Sequence, residues 1–424
     1  MLKTPKGLRL HIGFFGKRNA GKSSLLNAFA MQEVSIVSPV AGTTADPVEK
    51  AMELHSLGPV LLIDTAGLDD DAALVGDLRR EKSLKIMERC DMAFIVSEAD
   101  KWGSFEEKLV SEFAAGKVPV VAVLNKCDRF AAPESLKEDF LRRKIPFVVA
   151  SAAAGEGIAS LREAVIRNAP EEYLSSPRLV GDLLEEGQTV LLVTPIDIEA
   201  PRGRMILPQV QALRDVLDSS CCAVTVKADM VKKALRNLKE PPALVVTDSQ
   251  AFGEVAPLVP ESIPLTSFSI LMARLKGDLS LCAAGAARIG KKEKLTKVLI
   301  AEACTHHPVE GDIGRVKIPC AIRKVRGKVE GRLLAEDEIA FTHVQGHDYP
   351  EDPKEYDLVI HCGACTFNGR EMRARILKAA EEKVPFTNYG VTLAFCAGIL
   401  ERALSPFPEA LEAFRKERKE NTLP

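Results

Sequence analysis

The stretch GKRNAGKSS, from Gly16 to Ser24, has the residue types and spacing of a loop that binds a polyphosphate. Its glycines allow the backbone to approach a phosphate closely, so that N–H groups point at the oxygens. We expect Lys22 to contact the β- and γ-phosphates and the Ser23 hydroxyl to ligate Mg²⁺. The predicted contacts of this loop with the nucleotide are Gly16, Asn19, Ala20, Gly21, Lys22, Ser23 and Ser24.

The segments on either side of this loop are those that a phosphate site needs. An apolar run from Leu8 to Phe15 predicts a strand before the loop, and apolar residues from Leu25 to Phe29 predict a helix after it. The N-terminal end of that helix would add its partial positive charge to the site. This order favours a phosphate-binding loop over a chance glycine turn.

Two later segments complete the predicted phosphate and Mg²⁺ site. The polar stretch after the first helix contains Thr44, which we expect to be a second Mg²⁺ ligand. A predicted strand then ends in Asp64, whose carboxylate can hold Mg²⁺ through water. Gly67 follows, and its lack of a side chain leaves its N–H room to reach the γ-phosphate. The predicted catalytic residues are Lys22, Thr44 and Gly67.

The motif Asn125-Lys126-Cys127-Asp128 predicts that the base is guanine. Guanine presents N1–H and N2–H₂ on one edge, and the Asp128 carboxylate can accept both hydrogen bonds. Adenine lacks this donor pair and would leave a buried carboxylate unsatisfied, at a cost of about 1–3 kcal/mol. The other predicted contacts with the base are Asn125, Lys126, Ser151 and Ala152.

These motifs, in this order, resemble those of the translation-factor-like GTPases, and especially the subgroup with the tRNA-modification and ribosome-assembly GTPases. The resemblance implies hydrolysis of GTP with Mg²⁺, and it implies that Asn19 helps to ligate K⁺ near the phosphates. The alternative for Asn19 is a surface residue that caps a turn. Leu68 stands where small signalling GTPases carry a water-orienting glutamine, so hydrolysis should be slow unless K⁺ or an acidic residue helps. The acidic candidates are Glu81, Asp69, Asp70 and Asp71.

The composition indicates an ordinary globular protein. The chain has 424 residues, 46% of them hydrophobic and 27% charged, and its net charge of −2 favours neither nucleic acid nor a membrane as a partner. We find no secretory signal and no apolar stretch long enough to span a bilayer, and we expect a cytoplasmic protein with reduced cysteines. Seven of the ten cysteines are interpreted as small buried side chains: Cys90, Cys127, Cys221, Cys222, Cys282, Cys320 and Cys396.

Alternating strands and helices predict an α/β chain of three domains. Residues 1–170 form a GTP-binding domain with a parallel, doubly wound sheet, and a linker with two prolines follows it. Residues 178–270 form a smaller βα domain, in which Asp197 and residues 202–204 are interpreted as loop residues. Because this domain has no recognisable site, we interpret it as the dimerisation domain of a homodimer. Residues 271–424 form a third βα domain.

Two predicted strands of the third domain deliver cysteines at their carboxyl ends. The strand at 297–301 leads to Cys304, and the strand at 356–360 leads to Cys362 and Cys365. Because the carboxyl ends of parallel strands share one edge, we expect these sulfurs to meet, with Gly363 freeing the turn between the last two. A helix that starts near Asn368 would point its positive end at them and favour thiolates.

Three kinds of site are compatible with these ligands. A redox dithiol would need only Cys362 and Cys365 and leaves Cys304 unexplained. Structural zinc accepts three cysteines and a histidine, although zinc sites usually pair their ligands more closely in sequence. An iron–sulfur cluster with three cysteines and an exchangeable fourth ligand fits best. The candidates for the fourth ligand are His306, which we favour, His307 and His361.

The GTPase motifs, the plain middle domain, and the motifs Cys304-Thr305-His306 and His361-Cys362-Gly363-Ala364-Cys365 together resemble the [FeFe]-hydrogenase maturation GTPases, over essentially the whole chain. The resemblance implies a dimeric scaffold that binds a [4Fe-4S] cluster. It implies that two radical-SAM maturases build a transient diiron subcluster on the scaffold, which passes it to apo-[FeFe]-hydrogenase. The alternative is a GTPase switch in tRNA modification or ribosome assembly with a structural zinc site. That alternative predicts a basic surface and an RNA-binding module, which the neutral charge balance does not favour.

Overall fold

A computed structural model of the protein describes residues 4–31, 48–54, 57–65, 85–174, 178–195, 205–303, 312–350 and 352–419. The chain forms two compact units, Met1–Pro177 and Arg178–Pro424. Within the described ranges, no helix is both long and apolar enough to cross a membrane.

The first unit is built on a six-stranded sheet. Its strands are β1 (Leu10–Phe15), β2 (Val48–Leu54), β3 (Gly58–Asp64), β4 (Met92–Glu98), β5 (Val120–Asn125) and β6 (Phe147–Val149), in the spatial order β2-β3-β1-β4-β5-β6. The central strands β1 and β4 are almost entirely buried and mostly apolar, because both faces of the sheet are covered. The surrounding helices are α1 (Lys22–Met31), α2 (Ser104–Ala115), α3 (Glu134–Arg143), α4 (Ile158–Asn168) and α5 (Glu171–Leu174).

One strand of this sheet departs from the predicted parallel arrangement. β2 pairs with β3 in the antiparallel sense, from Val48 opposite Asp64 to Leu54 opposite Gly58. The connection between the two strands is too short for the crossover that a parallel pair requires. All other pairs in the sheet are parallel, so β1, β3, β4 and β5 end at the same edge.

The second unit contains two four-stranded parallel sheets. The first has β7 (Thr189–Val193), β8 (Cys222–Val226), β9 (Leu244–Thr247) and β10 (Leu265–Ser267), in the order β10-β9-β7-β8. The second has β11 (Lys297–Glu302), β12 (Ala340–Gln345), β13 (Leu358–His361) and β14 (Phe386–Asn388), in the order β12-β11-β13-β14. The predicted α/β fold class, with a GTPase sheet followed by further parallel βα sheets, is confirmed.

The helices of the second unit differ in places from those predicted. They are α6 (Leu207–Asp218), α7 (Val231–Asn237), α8 (Phe252–Val255), α9 (Phe268–Lys276), α10 (Leu279–Ala287), α11 (Ile318–Glu330), α12 (Gly369–Glu381), α13 (Tyr389–Cys396), α14 (Leu400–Ala403) and α15 (Pro408–Lys419). Helices α9 and α10 are separated at Gly277, because the Asp278 side chain caps a new helix by accepting from the N–H of Leu281. Helix α11 and strand β12 lie between the two cysteine motifs, where we predicted no helix or strand.

The two sheets of the second unit share one topology. Each places its first strand beside its second and third strands and its fourth strand beyond the third. The register also matches, since Val190 pairs with Leu244 in one sheet as Val298 pairs with Leu358 in the other. The fourth strand of each ends in the residue that caps the next helix, Ser267 in β10 and Asn388 in β14.

A single apolar core connects these two sheets. It includes Leu191 and Val245 from the first sheet, and Val359 and Phe386 from the second. Helix α9 contacts α6 on one side and α12 and α13 on the other. The predicted boundary between residues 270 and 271 lies inside α9, and the division of this unit into two domains stays a prediction.

Candidate nucleotide-binding site and candidate metal centre

The phosphate loop follows β1 and needs both of its glycines. Gly16 has a φ of +142°, and a Cβ there would lie 2.0 Å from the carbonyl oxygen of Val96. Gly21 has a φ of +93°, and its Cβ would lie 2.4 Å from Nδ2 of Asn125. Any side chain at these positions would therefore force the loop away from β4 and from the predicted base site.

The ammonium of Lys22 lies across this loop. Lys22 is the first residue of α1 and is buried, and its Nζ donates to the carbonyl oxygens of Gly16 and, at 2.9 Å, of Lys17. Ser23 and Ser24 follow it in the first turn and are exposed. Asn19 has a φ of +65°, a left-handed conformation that asparagine tolerates.

Hydrogen bonds hold the predicted base-binding residues in place. Asn125, at the end of β5, donates from Nδ2 to the carbonyl of Ala20 at 2.8 Å and accepts at Oδ1 from the N–H of Ala152 at 3.2 Å. The hydroxyl of Ser151 donates to Oδ1 of Asp128 at 2.6 Å. The loop after β6 thus fixes both residues that would recognise guanine.

Glu98 is a neighbour of this site that sequence reasoning missed. It ends β4, and its carboxylate accepts from Lys126 Nζ at 2.5 Å and pairs with Lys101. Hydrogen bonds from Lys101 and Lys126 hold the pKa of Glu98 below its usual value. Its position at the carboxyl end of a strand beside β5 is the signal that could have identified it.

The predicted Mg²⁺ site is only partly described. Asp64 ends β3 and is buried, and the next residue, Thr65, donates to the carbonyl of Phe14 in β1. The other predicted residues lie outside the described residues: Thr44, Gly67, Leu68, Glu81 and the acidic residues 69–71.

Strands β11 and β13 bring the second site together. They are adjacent and parallel, with Ala301 opposite His361, and the N–H of Cys362 donates to the carbonyl of Ala301 at 2.9 Å. The sulfur of Cys362 accepts from the N–H of Ala303 at 3.1 Å and from the N–H of Ala364 at 3.4 Å. Such donors stabilise a thiolate and tune sulfur-bound clusters. Cys304, His306 and His307 lie outside the described residues.

The turn between Cys362 and Cys365 does not depend on the residue that we predicted. Ala364 adopts the left-handed conformation, with a φ of +51°, whereas the φ of Gly363 is outside that region. A Cβ on Gly363 would make ordinary contacts of 3.6 Å or more. The expectation that Gly363 frees this turn was wrong, because the strained position is Ala364.

Lys276 holds this turn by hydrogen bonds to its backbone carbonyls. Its ammonium, on the last residue of α9, donates to the carbonyls of Ala364 at 2.8 Å, Cys365 at 3.1 Å and Phe367 at 2.6 Å. Burial lowers the pKa of Lys276 to about 8, and the nearby Cys365 and Cys362 sulfurs act in the opposite direction. Burial also raises the pKa of the Cys365 thiol, an effect that Lys276 partly offsets.

His361 has both ring nitrogens engaged. Its Nε2 lies 2.9 Å from Nη1 of Arg375, and its Nδ1 lies 3.0 Å from the carbonyl of Cys362. Since arginine can only donate, Nε2 must accept and Nδ1–H must donate. Burial and the Arg375 charge lower the pKa of His361 to about 3. No lone pair on the ring is left for a metal, so the geometry disfavours His361 as the fourth ligand.

Arg375 is a buried residue of this site that we did not predict. It lies on α12 and donates to the carbonyl of Gly346 at 2.6 Å and to Oε1 of Glu371 at 3.3 Å. Its guanidinium stacks on the ring of Phe367, 4.5 Å from the centroid. The spacing of Glu371 and Arg375 by four residues, directly after the cysteines, is the signal that could have revealed this pair.

In the described residues, no group of three or more histidine, cysteine or acidic side chains could by itself hold a metal ion. The donor set there is Cys362 and Cys365. Backbone N–H groups donate to the Cys362 sulfur, and the buried ammonium of Lys276 is hydrogen-bonded to the turn that carries both cysteines. These surroundings in the described residues fit an anionic group that is ligated by sulfur.

Comparison with protein families covers almost all of the chain. Residues 179–277 match the hydrogen maturase F dimerization domain, and residues 280–406 match the hydrogen maturase F tetramerization domain. The chain belongs to the hydrogen maturase F family. Residues 11–126 match the family described as 50S ribosome-binding GTPase, so this maturase F has a GTPase domain that binds GTP and Mg²⁺. The two maturase models also show that the protein self-associates.

The curated relatives resemble only the GTPase domain. The tRNA modification GTPase MnmE of Nitrosomonas europaea is 35% identical over 154 residues, which is 36% of this chain and 33% of that protein. MnmE of Helicobacter pylori is 41% identical over 139 residues, 32% of this chain and 30% of that protein. The match spans about a third of the length of these relatives.

Two solved structures are similar to part of the chain. The G domain of the FeoB iron transporter of T. maritima covers 38% of this chain and 98% of its own, with 20% identity and a TM-score of 0.30. Era of Aquifex aeolicus covers 53% of this chain and 97% of its own, with 18% identity and a TM-score of 0.32.

Proposed function

We propose that this maturase F is a GTP-hydrolysing scaffold that binds a [4Fe-4S] cluster and transfers a diiron subcluster to apo-[FeFe]-hydrogenase. The observation that carries the proposal is the pairing of β11 with β13. It places Cys362 against the N–H of Ala303, the residue that precedes Cys304 in the chain. We infer that Cys304, Cys362 and Cys365 are the three thiolate ligands, with His306 as the fourth.

The GTPase part of the proposal follows from residues around the loop. The ammonium of Lys22 donates to two loop carbonyls in the structure, and it would turn to the β- and γ-phosphates of a bound nucleotide. Ser23 and Asp64 would hold Mg²⁺, together with Thr44, and the ion would neutralise charge that develops on the phosphates. The backbone N–H of Gly67 would contact the γ-phosphate. Asn125 and Asp128 would hold guanine in place.

A second candidate function is a GTPase switch in tRNA modification or ribosome assembly with structural zinc at the cysteines. The observation that favours it is the similarity of the GTPase domain to MnmE. The two candidates differ in the bound metal. Anaerobic purification, followed by analysis of iron, acid-labile sulfide and zinc, distinguishes them. Zinc without sulfide would exclude the scaffold, and about equal iron and sulfide with little zinc would exclude the switch.

We expect the GTPase to depend on K⁺ through Asn19. Replacing K⁺ by Na⁺ should lower the rate of phosphate release several-fold, because the smaller ion would not be held in the same way by the loop. Asn19→Gly should remove the difference, since glycine keeps the left-handed backbone of this position. Asn27→Ala, in the exposed part of α1, is the matched control and should retain it. Equal wild-type rates in the two salts would contradict the proposal.

We expect a homodimer that forms through residues 178–270. Val210 and Leu217 are 44% and 57% exposed and lie seven residues apart on one face of α6. The adjacent strand β8 forms an edge of the first sheet. Val210→Glu combined with Leu217→Glu should lower the mass that light scattering measures at micromolar concentration. The control is Leu141→Glu, which changes a 68% exposed leucine of the GTPase unit and should leave the measured mass unchanged. A monomeric wild type would contradict this prediction.

A further inference from the structure

The ammonium of Lys276 is buried beneath the cysteine turn. The residue is only 4% exposed, although lysine is among the side chains that are rarely buried without a partner. Its three hydrogen-bond acceptors are backbone carbonyls of Ala364, Cys365 and Phe367. A small cavity beside it is lined by Met272, Cys282 and Phe386, so the surroundings are largely apolar.

No carboxylate of the residues that the structure describes pairs with the ammonium of Lys276. Within the described ranges, no aspartate or glutamate oxygen lies within 4.0 Å of its Nζ. Arg375, the other buried cation of this site, does have a carboxylate partner, which is Glu371. Burying an ionised group costs several kcal/mol unless an opposite charge compensates it, and carbonyl dipoles compensate only in part. The described part of the site therefore gives Lys276 no acidic side chain as an ion-pair partner, and the cysteine sulfurs are the negative groups next to it.

We propose that Lys276 is the counter-cation of the cluster and the positioning residue of its Cys362–Cys365 turn. This inference rests on the proposed function. Three thiolates around an oxidised [4Fe-4S] core, which carries two positive charges, leave a net negative charge. An ammonium that is hydrogen-bonded to the ligand turn itself is placed to compensate that charge, and its three hydrogen bonds fix the path of the turn.

Two measurable effects follow from a fixed positive charge. A nearby cation stabilises the reduced cluster more than the oxidised one, because reduction adds a negative charge. It also attracts the negatively charged cluster and holds the ligand turn in place, which slows loss of iron. Removal of the charge should therefore make the reduction potential more negative and the cluster more labile.

The experiment compares three substitutions in the full-length protein. Lys276→Gln retains donors for the carbonyls without the charge, Lys276→Met removes both, and Lys276→Arg retains the charge. Lys291→Gln is the control, because Lys291 is also largely buried but pairs with Glu417 away from the turn. Iron and sulfide content after anaerobic reconstitution, the midpoint potential from an EPR-monitored titration, and the rate of iron loss to a chelator are measured for each.

We expect the two neutral variants to show a more negative potential and about tenfold faster iron loss. Lys276→Arg and Lys291→Gln should resemble the wild type. Unchanged reduction potentials in the neutral variants would overturn the proposal. Equal defects in the neutral and arginine variants would also overturn it, because the shape of the side chain and not its charge would then stabilise the cluster. If one neutral variant fails to fold, the other neutral variant still tests the proposal by the same measurements. A wild type without iron and sulfide would instead refute the proposed function.

Discussion

Cys362→Ala should abolish the brown iron–sulfur chromophore while GTP hydrolysis continues at the wild-type rate. Loss of one thiolate of three removes a direct bond to iron, and neighbouring backbone donors cannot replace it. The Cys362 sulfur also accepts from Ala303 and Ala364, so its removal leaves two N–H groups aimed at an empty position. Hydrolysis should persist because the phosphate loop lies in the other compact unit, which has its own core. Iron, sulfide and phosphate release are measured on the same anaerobic sample.

Two other cysteines of the same unit provide matched controls. Cys320→Ala changes a thiol that is exposed, so our interpretation of Cys320 as a buried side chain was wrong. Cys396→Ala changes a largely buried thiol whose pKa burial raises to about 12. Both should keep the full cluster. Cys304→Ala and Cys365→Ala should lose it, whereas His306→Ala should keep a cluster with an altered spectrum and impaired transfer. A full cluster in the Cys362, Cys365 or Cys304 variant would mean that the ligands were wrongly chosen.

Asp128→Asn should reverse the preference of the GTPase from guanosine to xanthosine triphosphate. Ser151 already donates to Oδ1 of Asp128 at 2.6 Å, so an asparagine would keep its oxygen there and turn its amide N–H₂ toward the base. That group repels the N1–H and N2–H₂ donors of guanine but donates to the extra carbonyl of xanthine. We expect kcat/KM for GTP to fall roughly 100-fold or more, because the bound base would face an amide donor in place of the carboxylate that accepts from both of its donors.

The control for this experiment is Asp139→Asn, on the surface of α3, which should leave the preference unchanged. Steady-state kinetics with both triphosphates give the ratio directly. A wild type that hydrolyses both equally, or an Asp128→Asn variant that still prefers GTP, would show that Asp128 does not read the base.

The positions of the phosphate loop, Asp64 and Asn125 in the fold were predictable because each of them follows or ends a strand. A run such as Val120–Asn125 fixes both the strand and the position of the residues that follow it, and the parallel sheet then brings these ends to one edge. The same argument placed Cys362 next to the end of β11. The antiparallel pairing of β2 was missed because apolar alternation does not reveal the direction of a strand.

The parts that were not predicted depend on contacts between distant residues. Lys276 acts on a turn that lies about ninety residues later in the chain, and its own sequence neighbours give no sign of this. His361 precedes Cys362, which we propose as a ligand, and His361 therefore resembles a ligand in sequence. In the structure, however, Arg375 lies at hydrogen-bond distance from its Nε2. Strand β12 was missed because none of its residues is fully buried and its sequence lacks a clear apolar face.

The shared topology of the two sheets in the second unit has a consequence for the origin of the cysteine site. Matched by register, Asp248 and Ala251 after β9 occupy the positions of Cys362 and Cys365 after β13. Duplication of one ancestral βα segment would produce this pattern, and the cysteines that we propose as metal ligands are present after only one of the two strands. The first sheet forms the same framework without them, so we expect the second sheet to fold without a bound metal, unlike small metal domains that cannot fold before the metal arrives.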